Sequence, residues 1–155
     1  MPLTGFAFGC ASNADAYMPS PNQFTYFQGG GFVDITAHAR TIVFSGWFEA
    51  GAEIALTDSG LRVTRPGTFT KMVEAVEHVT FSGKRARAQG QDVMYVTERC
   101  VIRLLADGLV ATEIMPGIDP ARDIVAASHG RVRVAENAVT LPLSLLGLGP
   151  MGWQP

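Results

Sequence analysis

Apolar residues along this chain come in short runs of strand length, separated by Gly, Pro and polar turn residues. Gly5-Phe6-Ala7-Phe8-Gly9 reads as a short buried strand, and Phe24-Thr25-Tyr26-Phe27 has high strand propensity. Gly29-Gly30-Gly31 follows as a bare backbone loop. Asp34 to Arg40 reads as a short helix, with Asp34 as its cap and Arg40 near its negative end. Thr41 to Phe48 is almost continuously apolar, the pattern of a strand buried on both faces in a parallel sheet covered by helices. Glu53–Leu56 and Leu61–Thr64 alternate around Thr57-Asp58-Ser59-Gly60, which predicts a hairpin. Val73, Val76 and Val79 lead to Phe81-Ser82-Gly83, and Lys84 to Gly90 reads as a short basic helix closed by its glycine. Val93–Val96 is a strong strand. Cys100–Leu105 and Leu109–Ile114 flank Asp107-Gly108, a second and clearer hairpin signal. Asp119-Pro120 opens a helix from Ala121 to about Ser128, and Arg131–Val134 reads as a last strand. The tail has no regular period. These elements predict a mixed α/β domain without repeats or low-complexity tracts.

Composition narrows this picture. Of 155 residues, 47% are hydrophobic and only 17% charged, enough apolar material for one core and too much for disorder. The formal net charge of −2 gives no electrostatic case for nucleic acid or an anionic membrane surface. No run reaches the roughly 20 apolar residues of a spanning helix, and the start lacks the basic and apolar regions of a signal peptide. Cys10 and Cys100 are far apart and form no disulfide framework, so a reducing, cytoplasmic compartment is expected.

Candidate chemistry is sparse. Gly29, Gly30 and Gly31 lack the following Lys-Ser or Lys-Thr of a Walker loop and the spaced glycines of a dinucleotide fingerprint. Three bare residues still let a ligand approach the backbone and present N–H donors, although an ordinary tight turn has the same composition. His38, His78 and His129 are isolated, apart from Glu74 near His78, so no metal site is expected. Neither cysteine has the basic surroundings that activate a thiol. Glu98 stands at the junction of two predicted strands, placed either as a nucleophile or base or as an ion-pair partner of Arg99.

Several stretches resemble the second half of family I CoA-transferases, especially the single-chain acetate or propionate enzymes. They are Gly5-Phe6-Ala7-Phe8-Gly9-Cys10-Ala11-Ser12-Asn13-Ala14-Asp15-Ala16, Tyr26-Phe27-Gln28-Gly29-Gly30-Gly31 and Phe81-Ser82-Gly83-Lys84. Val93-Met94-Tyr95-Val96-Thr97-Glu98-Arg99, Thr112-Glu113-Ile114-Met115-Pro116-Gly117-Ile118-Asp119 and Pro150-Met151-Gly152 continue the likeness in order. The resemblance implies part of an open CoA-transferase-like sheet with helices, plus antiparallel hairpins. It implies transfer of CoA between an acyl-CoA and a short-chain carboxylate, with the CoA thioester as substrate and no separate cofactor. In that family a glutamate attacks the thioester, passes through a mixed anhydride and becomes a glutamyl-CoA thioester. By resemblance, Gly29, Gly30 and Gly31 are the CoA-binding residues.

Two departures from the family pattern shape the expectation. The family's nucleophilic glutamate lies in a segment just before the one matching Pro2-Leu3-Thr4-Gly5, and none of Glu49, Glu53, Glu74, Glu77, Glu98, Glu113 or Glu136 takes its place. No catalytic residue is therefore assigned. Two glycine motifs that the family keeps apart are fused in Gly29-Gly30-Gly31-Phe32, which implies an internal deletion near 31–33. The chain reads as a single partial domain over 1–155 that needs the missing first half or associates as a homo-oligomer. The alternative is a non-catalytic remnant acting in assembly. A sugar-phosphate isomerase of related fold is a third reading, for which no acid/base and phosphate-binding constellation is found.

Overall fold

A computed structural model describes residues 33–73 and 81–147. The motifs before Val33, including the strands expected at 5–9 and 24–27, lie outside these residues, as do Val76 and Val79.

Nine strands are formed among the described residues. Five of them make the main sheet: β1 (Thr41–Ser45), β6 (Asp92–Val96), β7 (Cys100–Leu105), β8 (Gly108–Ile114) and β9 (Val132–Thr140), in the spatial order 1-6-7-8-9. β1 pairs with β6 and β8 with β9 in parallel, while β7 is antiparallel to both its neighbours. Four strands thus run one way and β7 alone runs back. The carboxyl ends of β1, β6, β8 and β9 share one edge of the sheet with the start of β7. In α/β sheets, crevices outside that edge are where ligands bind.

The predicted hairpins form where turn chemistry demanded them. β3 (Glu53–Thr57) and β4 (Gly60–Arg65) pair through Asp58-Ser59, and Gly60 takes a φ of +125° that side chains resist. A pair of two-residue strands, β2 (Glu49–Ala50) and β5 (Phe69–Thr70), lies beside it in sequence. Gly60 and Gly117 also let the β3–β4 hairpin dock backbone to backbone. A Cβ on Gly60 would sit 2.0 Å from the Pro116 carbonyl oxygen, and the Leu61 N–H donates to that oxygen at 2.7 Å.

One face of the sheet carries the core. Ile42, Phe44, Val93, Tyr95, Ile102, Leu104, Leu109, Ala111 and Val132 are buried there together with Phe48, Met72 and Ile124. Phe44 stacks on Tyr95 with ring centroids 5.0 Å apart and meets Phe81 edge-on at 5.3 Å. The short helix Gly83–Ala88, capped by the Ser82 hydroxyl, packs Ala86 into this core. The opposite face is more open, with Val43, Val96, Leu105 and Val139 exposed and Arg103 paired to Asp92.

Four local expectations change. β1 alternates between buried and exposed positions, so the Thr41–Phe48 run is not buried on both faces, although it does pair in parallel, with β6. A continuous apolar run does not by itself reveal whether both faces are covered. Asp34 lies within the helical residues 33–38, not before them. The last strand runs on to Thr140, and the segment opened by Asp119 and Pro120 is a π-helix, Pro120–Ala126. Asp119 caps it as expected, accepting from the Ala121 and Arg122 N–H groups.

Candidate functional site

The carboxyl edge of the sheet is organised around Arg99. The residue follows β6 in the tight connection to β7, where the Thr97 hydroxyl accepts from the Arg99 and Cys100 N–H groups and donates to the Cys100 carbonyl. That turn directs the guanidinium inward, and only 1% of the residue's surface is exposed. A buried cation is tolerated only when its donors are matched. Nη2 donates to Glu49 Oε2 at 2.6 Å, Nε to Glu98 Oε1 at 3.2 Å, and Nη1 to the Asp123 carbonyl oxygen at 2.9 Å. The guanidinium also lies 4.8 Å from the centroid of the Phe48 ring, within cation–π range.

Both carboxylates bind backbone as well. Glu98 Oε2 accepts from the Phe48 N–H at 2.8 Å, and Glu49 Oε2 accepts from the Gly67 N–H at 3.2 Å. Arg99 therefore joins four segments that are remote in sequence: the stretch after β1, the turn before β5, the β6–β7 connection and the π-helix. The planar fork of arginine suits this task, because its donors leave in fixed directions.

Asp123 contributes to the same corner from the π-helix. Burial pushes its carboxyl up, but hydrogen bonds from Arg122 and the Asp119 N–H, with the charges of Arg122 and Arg99, outweigh this and hold it below the usual carboxylate range. Arg122 grips it with Nε at 2.8 Å and Nη2 at 2.9 Å.

Of the two readings of Glu98, the geometry supports the ion pair. Both its oxygens are occupied by structural donors, and a carboxylate so engaged is a poor nucleophile. Cys100 is buried beside it, and burial pushes its thiol up to about 12, the inert state expected. His38 and His129 are exposed. Among the described residues, no group of three or more His, Cys, Asp or Glu is placed to hold a metal. No helix among them is long and apolar enough to cross a membrane, which says nothing of a β-barrel. Gly29, Gly30 and Gly31, His78 and Cys10 lie outside the described residues. Sequence reasoning missed Glu49, which meets Arg99 across 50 positions. Its one local signal was a carboxylate directly after the Thr41–Phe48 run.

No protein-family model matches the chain. Individual proteins do. The chain is 44% identical over 96 residues to a caffeate CoA-transferase of Acetobacterium woodii, covering 62% of this chain and 18% of that protein. It is 33% identical to the acetate CoA-transferase YdiF of Escherichia coli K12, covering 78% of this chain and 29% of that protein. Its fold is similar, with a TM-score of 0.75 and 34% identity, to a crystal structure of the Escherichia coli O157:H7 acyl-CoA transferase in a thioester complex with CoA, over 81% of this chain and 25% of that one. The apoenzyme of that transferase matches equally. The chain thus spans less than a third of the length of these relatives. Sequence and fold agree with the motif reading, and the chain belongs to the family I CoA-transferases.

Proposed function

We propose that this chain serves in the transfer of CoA between an acyl-CoA and a short-chain carboxylate, and that the 155 residues alone carry no turnover. The observation that carries the first half is the shared fold, at 34% identity, with a transferase captured as a CoA thioester. The second half rests on the carboxylates. Among the described residues, Glu49 and Glu98 at the carboxyl edge are committed to Arg99 and to backbone N–H groups. Glu53 pairs with Arg65 at the surface, and Glu113 and Glu136 lie within β8 and β9.

Covalent transfer needs a carboxylate free to attack the thioester carbonyl and expel the CoA thiolate. In this reading the carboxylate comes from outside these 155 residues, in a reducing cytoplasmic setting, and Gly29, Gly30 and Gly31 line the thioester. An alignment of 153 positions that takes in 78% of a 155-residue chain must open gaps in that chain. This supports the internal deletion, which we place near 31–33.

Incubation with acetyl-CoA and borohydride, followed by intact mass, tests the claim. The isolated chain shows no reduced-glutamate product. Addition of the product of an adjacent reading frame restores transfer of labelled CoA to acetate. A stoichiometric reduced glutamate in the isolated chain overturns the second half of the proposal. Absence of any CoA binding, alone or with that partner, overturns the first.

A further inference from the structure

Trp47 stands on the carboxyl edge between two anchored neighbours. The Gly46 N–H donates to the Val96 carbonyl at 3.1 Å, and the Phe48 N–H donates to Glu98 Oε2 at 2.8 Å. The Phe48 ring lies against Arg99. The backbone on either side of residue 47 is therefore fixed to the end of β6 and to the buried Arg99 cluster, while Trp47 itself remains 57% exposed. The burial pattern shows why. Ile42, Phe44 and Phe48 are buried, whereas Thr41, Val43, Ser45 and Trp47 are exposed. Trp47 thus continues the open row of β1, two residues beyond Ser45, whose register partner on β6 is the exposed Val96. An isolated apolar side chain on a surface needs no explanation. A tryptophan on an anchored backbone, exposed at the edge of an α/β sheet where ligands bind, is a preorganised platform for a planar partner.

We infer that Trp47 stacks on the adenine of coenzyme A. The inference rests on the CoA-transferase reading and adds a binding residue to it. Two parts of the complex are planar candidates: the adenine at one end of CoA and an aromatic acyl group at the other. The reacting thioester end needs a water-excluded environment, which a residue this exposed does not provide. The adenine end carries no reaction and tolerates open surface. Stacking of a base on an aromatic side chain contributes roughly 1–3 kcal/mol, which corresponds to about a five- to hundred-fold change in affinity.

The test uses the full 155-residue chain carrying Trp153→Phe, which leaves Trp47 as its sole tryptophan. CoA and 4′-phosphopantetheine, which lacks the adenine, are titrated while tryptophan emission is followed, with calorimetry in parallel. CoA changes the emission and phosphopantetheine does not. Trp47→Ala weakens CoA binding at least five-fold, and Trp47→Phe recovers most of it, with circular dichroism confirming that each variant is folded. If calorimetry shows CoA binding but emission is unchanged, or if Trp47→Ala binds as tightly, the platform is refuted while the CoA reading stands. An equal response to phosphopantetheine refutes the adenine assignment. A chain that binds no CoA by either method, alone or with the partner named above, loses both this inference and the reading beneath it.

Discussion

Replacing Arg99 by Met removes one cation from between the buried Glu49 and the partly buried Glu98 and keeps much of its volume. Methionine restores part of the packing against Phe48 but supplies no donor. Glu49 and Glu98 then face each other's charge without compensation, and the Asp123 carbonyl loses its partner at 2.9 Å. Breaking a buried pair by removing one partner costs about 3–5 kcal/mol, because the remaining charge stays desolvated. Against a whole-domain stability of about 5–15 kcal/mol this is a large fraction. For a chain of this size it lowers the melting temperature by roughly 6–20 °C. Urea unfolding at neutral pH, followed by circular dichroism, measures the loss. The same reasoning makes a second demand. Adding Glu49→Gln and Glu98→Gln to Arg99→Met removes the stranded charges, so the triple variant recovers much of the stability, since neutral replacement of a buried ion pair is often tolerated. A loss below about 1 kcal/mol in Arg99→Met, or a triple variant less stable than the single one, would show that the charges are not buried as described.

Two further outcomes test the fold and the site. Gly60→Ala destabilises by at least about 2 kcal/mol, since its Cβ meets the Pro116 carbonyl and its φ is positive; Gly90→Ala, with φ +67° and nothing within 4 Å, costs about 1 kcal/mol or less, and thermal melts of the pair compare them directly. In a Cys10→Ser background, Cys100 resists iodoacetamide up to pH 9 and is modified once urea unfolds the chain, because a thiol pushed up to about 12 stays protonated throughout that range; rapid native labelling by mass spectrometry refutes this.

Much of the fold was legible in local pattern. Asp107-Gly108 and Asp58-Ser59-Gly60 specify tight turns through backbone conformations few residues accept, so both hairpins were predicted to within a residue or two. Asp119 and Pro120 specify a helix start, because one supplies an acceptor for exposed N–H groups and the other needs none. The ordered short motifs also carried the family, which the comparisons bear out. Other features depend on contacts between distant residues. Whether β1 is covered on one face or two depends on what packs above it, which an apolar run does not encode. The π-helical widening at Pro120–Ala126 has no signature in its capping residues. Glu98 had two readings from sequence, since a carboxylate beside an arginine suits a nucleophile or an ion pair equally. Only the fold brings Glu49, Phe48 and the Asp123 carbonyl around Arg99 and occupies both oxygens of Glu98, across separations of 24 to 50 residues. Turn and cap chemistry acts between near neighbours and is written in the chain; the pairing of a buried charge is a property of the tertiary structure alone.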